Sequence, residues 1–146
     1  MRIAPPERGS IIRYAYLWAE EHRRGEEEGR KDRPALVLAL SIVNHDGQAE
    51  ILVLPITHTP PTAPSGAVAI PPEVKRRLRL DEKPSWIVTT EANAFVWPGP
   101  DIRPVAGSRR PGVIYGKIPA ALLQKVARSF LANRERQRAT LVRRST

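Results

Sequence analysis

Residues 33–57 read RPALVLALSIVNHDGQAEILVLPIT, two apolar runs on either side of Asn44-His45-Asp46-Gly47. Asp-Gly accepts the backbone angles of a tight turn, so the segment predicts an antiparallel β-hairpin. Pro34 has no N–H to give a ladder and belongs at the start of its strand, which leaves Arg33 at the entrance. Pro55 puts Ile56 and Thr57 near the exit of the partner strand. In a hairpin closed around Asp46-Gly47, the entry of one strand faces the exit of the other, so Arg33 and Thr57 are expected to be spatial neighbours. An arginine at the mouth of an apolar run is either a solvated strand-end charge or a guanidinium held against an anion.

Outward from the hairpin, Ser10–Trp18 (SIIRYAYLW) is rich in β-branched and aromatic residues and predicts a first strand. Ala19 to Asp32 is charged, contains glycine and has no apolar period, which predicts a long exposed loop. Beyond Thr57 a proline-laden loop leads to a short strand AVAI and to a helical turn PPEVKRRL opened by Pro71-Pro72. SWIVTT predicts a further strand and FVWP a short extended piece, followed by an irregular Pro/Gly-rich segment from Gly99 to Gly112. A helix is expected to open at Pro119, with Leu122, Val126 and Phe130 on one row and Leu123, Ala127 and Leu131 beside it. That apolar face stops near Ala132, and a basic C-terminal extension is expected from about residue 133. Several short strands and one C-terminal amphipathic helix predict a mainly β protein, a strongly curved antiparallel sheet or small barrel with the helix packed on it.

At 146 residues the chain is most simply one domain, large enough to bury a core without metal or crosslinks. It has no cysteine, which excludes disulfides, zinc–thiolate sites and thiol nucleophiles. The N-terminus lacks an apolar signal region and no apolar run is long enough to span a bilayer, so a cytoplasmic protein with no membrane contact is expected. Lys and Arg number 24 against 15 Asp and Glu, a formal charge of +9, and such an excess favours polyanionic partners. The arginine-rich end RSFLANRERQRATLVRRST is either a solvated helix end or a nucleic-acid contact.

RNA cleavage needs modest equipment, because the nucleophile is the substrate's own 2′-hydroxyl. The protein must orient that hydroxyl, stabilise charge on the phosphate oxygens and move protons, with no metal or other cofactor required in principle. An arginine suits the second task, since its planar fork holds two phosphate oxygens and stays charged. A neighbouring hydroxyl such as Thr57 adds a hydrogen bond to the same phosphate or positions the 2′-OH. His58 and His22 are candidates for proton transfer, whereas His45, in the hairpin turn, is expected to be solvated. Arg30 and Lys31 at the loop's end, with Lys75, Arg76, Arg77 and Arg79, are basic candidates for RNA contact or a solvated face. Trp18, Trp86 and Trp97 either stack on bases or fill core and interface, the latter being the favoured role for Trp86.

The order GSIIRYAYLW, charged loop, RPALVLA, a hairpin ending in LPIT, and finally YGKIP leading into a helix resembles the MazF/PemK family of toxin endoribonucleases. The likeness runs over Gly9 to Thr57 and loosely over Gly116 to Leu131. It implies a homodimer of SH3-like barrels that cuts single-stranded RNA without metal, leaves a 2′,3′-cyclic phosphate, and is neutralised by an antitoxin with an acidic, disordered tail. It places the family's catalytic arginine on Arg33, its threonine on Thr57, and the glutamate of its Gly-Ser-Glu loop on Glu28. Here GEEEGRKDR replaces the small Gly-Ser pair with carboxylates. Two alternatives stand beside this: a non-catalytic nucleic-acid-binding module, and a gyrase poison of the related CcdB type, against which the RP…PIT pair argues.

Overall fold

A computed structural model describes residues 4–25, 31–42, 48–103 and 112–144, with the Ile42 side chain outside that description. The chain runs through β1 (Ser10–Tyr14), α1 (Ala19–Arg23), β2 (Arg33–Ile42), β3 (Ala49–Thr57), a 3-10 turn Pro64–Gly66, and β4 (Ala67–Ala69). It continues through α2 (Pro72–Arg77), β5 (Trp86–Val88), β6 (Glu91–Val96), β7 (Ile114–Lys117), α3 (Ala120–Glu135) and β8 (Thr140–Arg143). β2 and β3 form the expected antiparallel pair, while the turn residues Asn44 to Gly47, with His45, lie outside the described residues.

The sheet order is β4-β5-β3-β2-β1-β7. The far edge of β3 is shared, with Glu50–Val53 pairing to β6 and Ile56–Thr57 pairing to β5. A register shift between Val37 and Ala39 bends β2 at the middle of the hairpin. The sheet is strongly bent, as expected, and does not close into a barrel: among the described residues β4, β7 and β8 remain edge strands. The fold class is otherwise as expected, mainly antiparallel β with a C-terminal helix.

Both faces of the sheet are covered, which explains why the hairpin runs are almost continuously apolar rather than alternating. On one face Ile11, Leu36, Leu54 and Ile56 pack with Leu122, Val126 and Phe130 of α3. On the other, Ile12, Ala35, Val37 and Val53 pack with Tyr14, Tyr16, Phe95 and Trp97. Successive residues thus serve opposite cores, as the two-residue period of a strand dictates. Leu131, expected on the apolar face of α3, is exposed. α2 approaches β7 closely: Gly116 has φ +149°, and a Cβ there would meet Leu78 Cδ2 at 2.6 Å.

Three segments differ from the sequence expectation. β1 ends at Tyr14, and the expected loop from Ala19 opens instead with α1, because Glu21 is buried and its Oε1 accepts the Trp18 N–H (3.0 Å) at the helix start. β6 begins at Glu91 and is a full strand, because its buried polar residue is satisfied: Asn93 Oδ1 accepts from Leu17 N–H (2.9 Å) and Asn93 Nδ2 donates to Leu17 O (2.8 Å). Beyond residue 133 the chain is no loose basic extension. Asn133 is buried and donates to Ser65 O and Thr89 O (3.0 and 2.9 Å), Gln137 turns the chain at φ 57°, and β8 returns parallel to β6. Arg144 is then buried, its Nη1 donating to Ala15 O (2.8 Å) and its Nη2 lying 3.0 Å from Asp101 Oδ1. Its charge is spent inside the fold and is not offered to a polyanion.

Candidate active site

β2 is held between β1 and β3, with Tyr14 opposite Arg33 on one side and Ala35 opposite Pro55 on the other. Carrying the second register two pairs further to the strand end sets Arg33 across from Thr57, and residues directly opposite in an antiparallel pair share a face. Both side chains line one surface cleft of about 630 Å³, whose walls also carry Lys31, His58, Lys75 and Asp81. Neither is sealed away: Arg33 and Thr57 are half-buried.

The guanidinium of Arg33 lies over the Trp18 ring, with Cζ 4.9 Å from the ring centroid. Trp18 in turn meets Tyr16 edge-on at 5.3 Å. Among the described residues no carboxylate pairs directly with Arg33, and its buried Nε has no hydrogen-bond partner. The neighbouring carboxylate, Asp32, is engaged elsewhere, 3.7 Å from Arg13 and 3.5 Å from Arg103. Burial lowers the proton affinity of the Arg33 guanidinium, and the negative ends of Glu21, Tyr16 and Glu91 work against that loss. An arginine remains charged at neutral pH through such a change. The result is a cation held against the Trp18 ring, with no carboxylate partner among the described residues, on the lining of an open cleft.

Thr57 closes β3, and its Oγ1 accepts the Thr59 N–H at 3.1 Å, so the chain turns immediately afterwards. That turn brings His58, the next residue, onto the same cleft instead of the opposite face of the strand. His58 Nε2 lies 2.7 Å from Asp81 Oδ2. Asp81 is also held by Lys75, whose Nζ donates to Asp81 Oδ1 (2.7 Å), to Ser85 Oγ (2.7 Å) and to Lys83 O. Burial works to raise the Asp81 carboxyl, but the hydrogen bonds from Lys75 and His58 outweigh it and hold it below its ordinary value.

The other basic candidates divide. Lys31 lies on the cleft wall and is exposed. Lys75 is only 5 % exposed, and with its donors taken up by Asp81, Ser85 and Lys83 it is a strut of the cleft wall and not a free RNA contact. Arg76 is exposed on an adjoining hollow of about 400 Å³ that also carries Trp86, while Arg77 is exposed away from both. Arg79, in the left-handed region at φ 56°, ends the α2 turn and reaches the cleft. His22 is exposed on α1 and does not line the cleft. Glu28 and Arg30 lie outside the described residues. Trp97 is core.

Sequence reasoning missed Asp81, 23 positions from its partner His58, and Glu91, whose half-buried Oε1 accepts from Tyr16 OH (3.1 Å) and Ala19 N–H (2.8 Å). Neither has a local signal. Only the folding of α2 and β6 against the hairpin brings them near Arg33.

Fold and cleft together define a small, mainly antiparallel β protein with a cation-rich cleft at the open end of its central hairpin. Residues 7–96 match the family described as the PemK-like, MazF-like toxin of type II toxin-antitoxin systems, a span that contains Arg33, Thr57, His58 and Asp81. The chain belongs to that toxin family, and membership implies a cognate antitoxin. Among curated proteins none matches the chain. Among the described residues no helix is long and apolar enough to cross a membrane.

Proposed function

We propose that this toxin is a metal-independent endoribonuclease that cleaves single-stranded RNA in the cytoplasm and so arrests translation and growth. The observation that carries the reading is the sharing of one open cleft by Arg33 and Thr57, at facing ends of β2 and β3. A phosphodiester seated there meets the Arg33 fork at its non-bridging oxygens, where negative charge grows as the 2′-oxygen attacks phosphorus. Contact with the Trp18 ring holds the guanidinium in place, so little reorganisation is needed when that charge develops. Thr57 Oγ1 retains its own O–H for the phosphate or the attacking hydroxyl while accepting from Thr59. Lys31 and Arg79 on the walls attract the flanking phosphates.

The products are a 2′,3′-cyclic phosphate and a 5′-hydroxyl. The working unit is a homodimer, neutralised when the acidic, disordered tail of its antitoxin lies along the same cationic surface. The test is to incubate the purified protein with mixed single-stranded RNA in EDTA and to map the new ends. Discrete 5′-hydroxyl ends are expected. Salt-sensitive binding with no product, with or without added divalent ions, would reduce the protein to a binding module.

A further inference from the structure

The pair His58–Asp81 faces the cleft from the wall that also carries Lys75, yet charge stabilisation by Arg33 and Thr57 makes no use of it. We propose that His58 is the general acid of the cleavage step and that Asp81, anchored by Lys75, is its positioning residue. The inference rests on the nuclease reading above and assigns the proton carrier within it.

The geometry suits the acid role. Nε2 of His58 is engaged at 2.7 Å by a carboxylate, which fixes the ring and leaves Nδ1, its other polar edge, to carry the proton. The side chain is half exposed, so that proton is replaced from solvent after each turnover. Asp81 cannot swing away freely, because its second oxygen is held by the buried ammonium of Lys75, itself bonded to Ser85 and Lys83. Thr57 and His58 are consecutive, so a hydroxyl at the phosphate and an imidazole beside it are set by one turn of backbone. In the step, the 2′-oxygen forms its bond to phosphorus and its proton passes to water. The bond from phosphorus to the 5′-oxygen breaks, and the departing oxygen takes the proton from His58. Atoms and charge then balance with no further reactant.

The charged and titratable groups on the same cleft are Asp81, Lys75, Lys31, Arg33, Arg79 and Asp32, with the Tyr115 phenol. Asp81 is the one hydrogen-bonded to the imidazole, and burial pushes the Tyr115 phenol above its usual value, away from the working range.

The test uses a single-stranded oligoribonucleotide bearing a site cut by the wild-type protein, and the same strand with sulfur in place of the bridging 5′-oxygen. A thiolate leaves without protonation. His58→Gln is expected to slow cleavage about 100-fold or more on the oxygen substrate, the scale of a lost general acid, and to cut the sulfur substrate within a few-fold of wild type. Arg33→Ala is expected to be slow on both. A His58→Gln rate within about threefold of wild type on the oxygen substrate, or an equal deficit on both, overturns the acid assignment while the nuclease reading stands. Asp81→Asn loosens the hold on the ring, so it should slow the oxygen substrate about tenfold, less than loss of the acid itself, and cut the sulfur substrate within a few-fold of wild type. A wild-type rate on the oxygen substrate, or an equal deficit on both substrates, overturns the positioning role, and a wild-type protein that cuts nothing overturns both readings together.

Discussion

Replacing Arg144 by methionine separates a structural arginine from a nucleic-acid arm. Methionine keeps most of the side-chain length, so the loss is chiefly one of charge and hydrogen bonds. Nη1 gives up Ala15 O at 2.8 Å and Tyr14 OH and Asn93 Oδ1 at 3.2 Å each, and Asp101 loses the cation at 3.0 Å. The two side chains are 2 % and 11 % exposed, so water cannot take over. Stripping one partner from a buried pair costs about 3–5 kcal/mol, a large share of the roughly 5–15 kcal/mol that holds a domain folded. At roughly 2–4 °C per kcal/mol for a chain of this size, the midpoint should fall by about 10 °C. Urea and thermal unfolding followed by circular dichroism measure it. Adding Asp101→Asn should recover part of the loss, because it removes the orphaned carboxylate. Arg143→Met is the control: that side chain is 67 % exposed and pairs only at the surface with Glu50, so its effect should stay under about 1 kcal/mol. Equal, small effects of the two substitutions would refute the argument that the C-terminal strand is built into the fold.

Three further outcomes follow from the same contacts. Trp18→Ala removes the platform under Arg33, worth about 1–2 kcal/mol, and should lower RNA cleavage about tenfold, whereas Trp18→Phe should retain most of the rate in the same single-turnover assay. Asn133→Ala leaves the Thr89 carbonyl without its donor and removes the strongest of those to Ser65 O, and should cost about 1–3 kcal/mol in urea unfolding. Burial raises the Glu91 carboxyl above its ordinary value of 4.5, so the folded chain binds that proton more tightly than the unfolded chain. The stability this lends is complete below pH 4.5 and is lost as pH rises through the folded-state value. Glu91→Gln, which can still accept from Tyr16 and Ala19, should therefore unfold at higher urea than wild type at pH 7 and at nearly the same urea at pH 4.

The hairpin was legible because its signals are local and agree: two apolar runs, a turn dipeptide between them, and a proline near the outer end of each. From those the juxtaposition of Arg33 and Thr57 followed without coordinates. The helix face through Leu122, Val126 and Phe130 was legible for the same reason, a period that matches its burial. β6 was hidden by Asn93, which reads as a loop residue until Leu17 and Arg144 satisfy it from 76 and 51 positions away. β8 was hidden because a strand of four residues ending in arginine looks like a solvated tail. Lys75 was misjudged because a helix-borne lysine gives no sign of being buried; only the loop through Asp81, Lys83 and Ser85 folds over it. His58 was ambiguous by one residue of strand length, and the end of β3 at Thr57 decided it.

The most direct measurement is the single-turnover rate at which Arg33→Ala cuts a single-stranded RNA, taken beside its melting curve. A stacked side chain whose Nε has no hydrogen-bond partner can be removed without unfolding the sheet. An unchanged fold is expected, with cleavage slowed at least about 100-fold, the scale of a lost group that stabilises transition-state charge. A folded variant that cuts within a few-fold of the wild-type rate would contradict it.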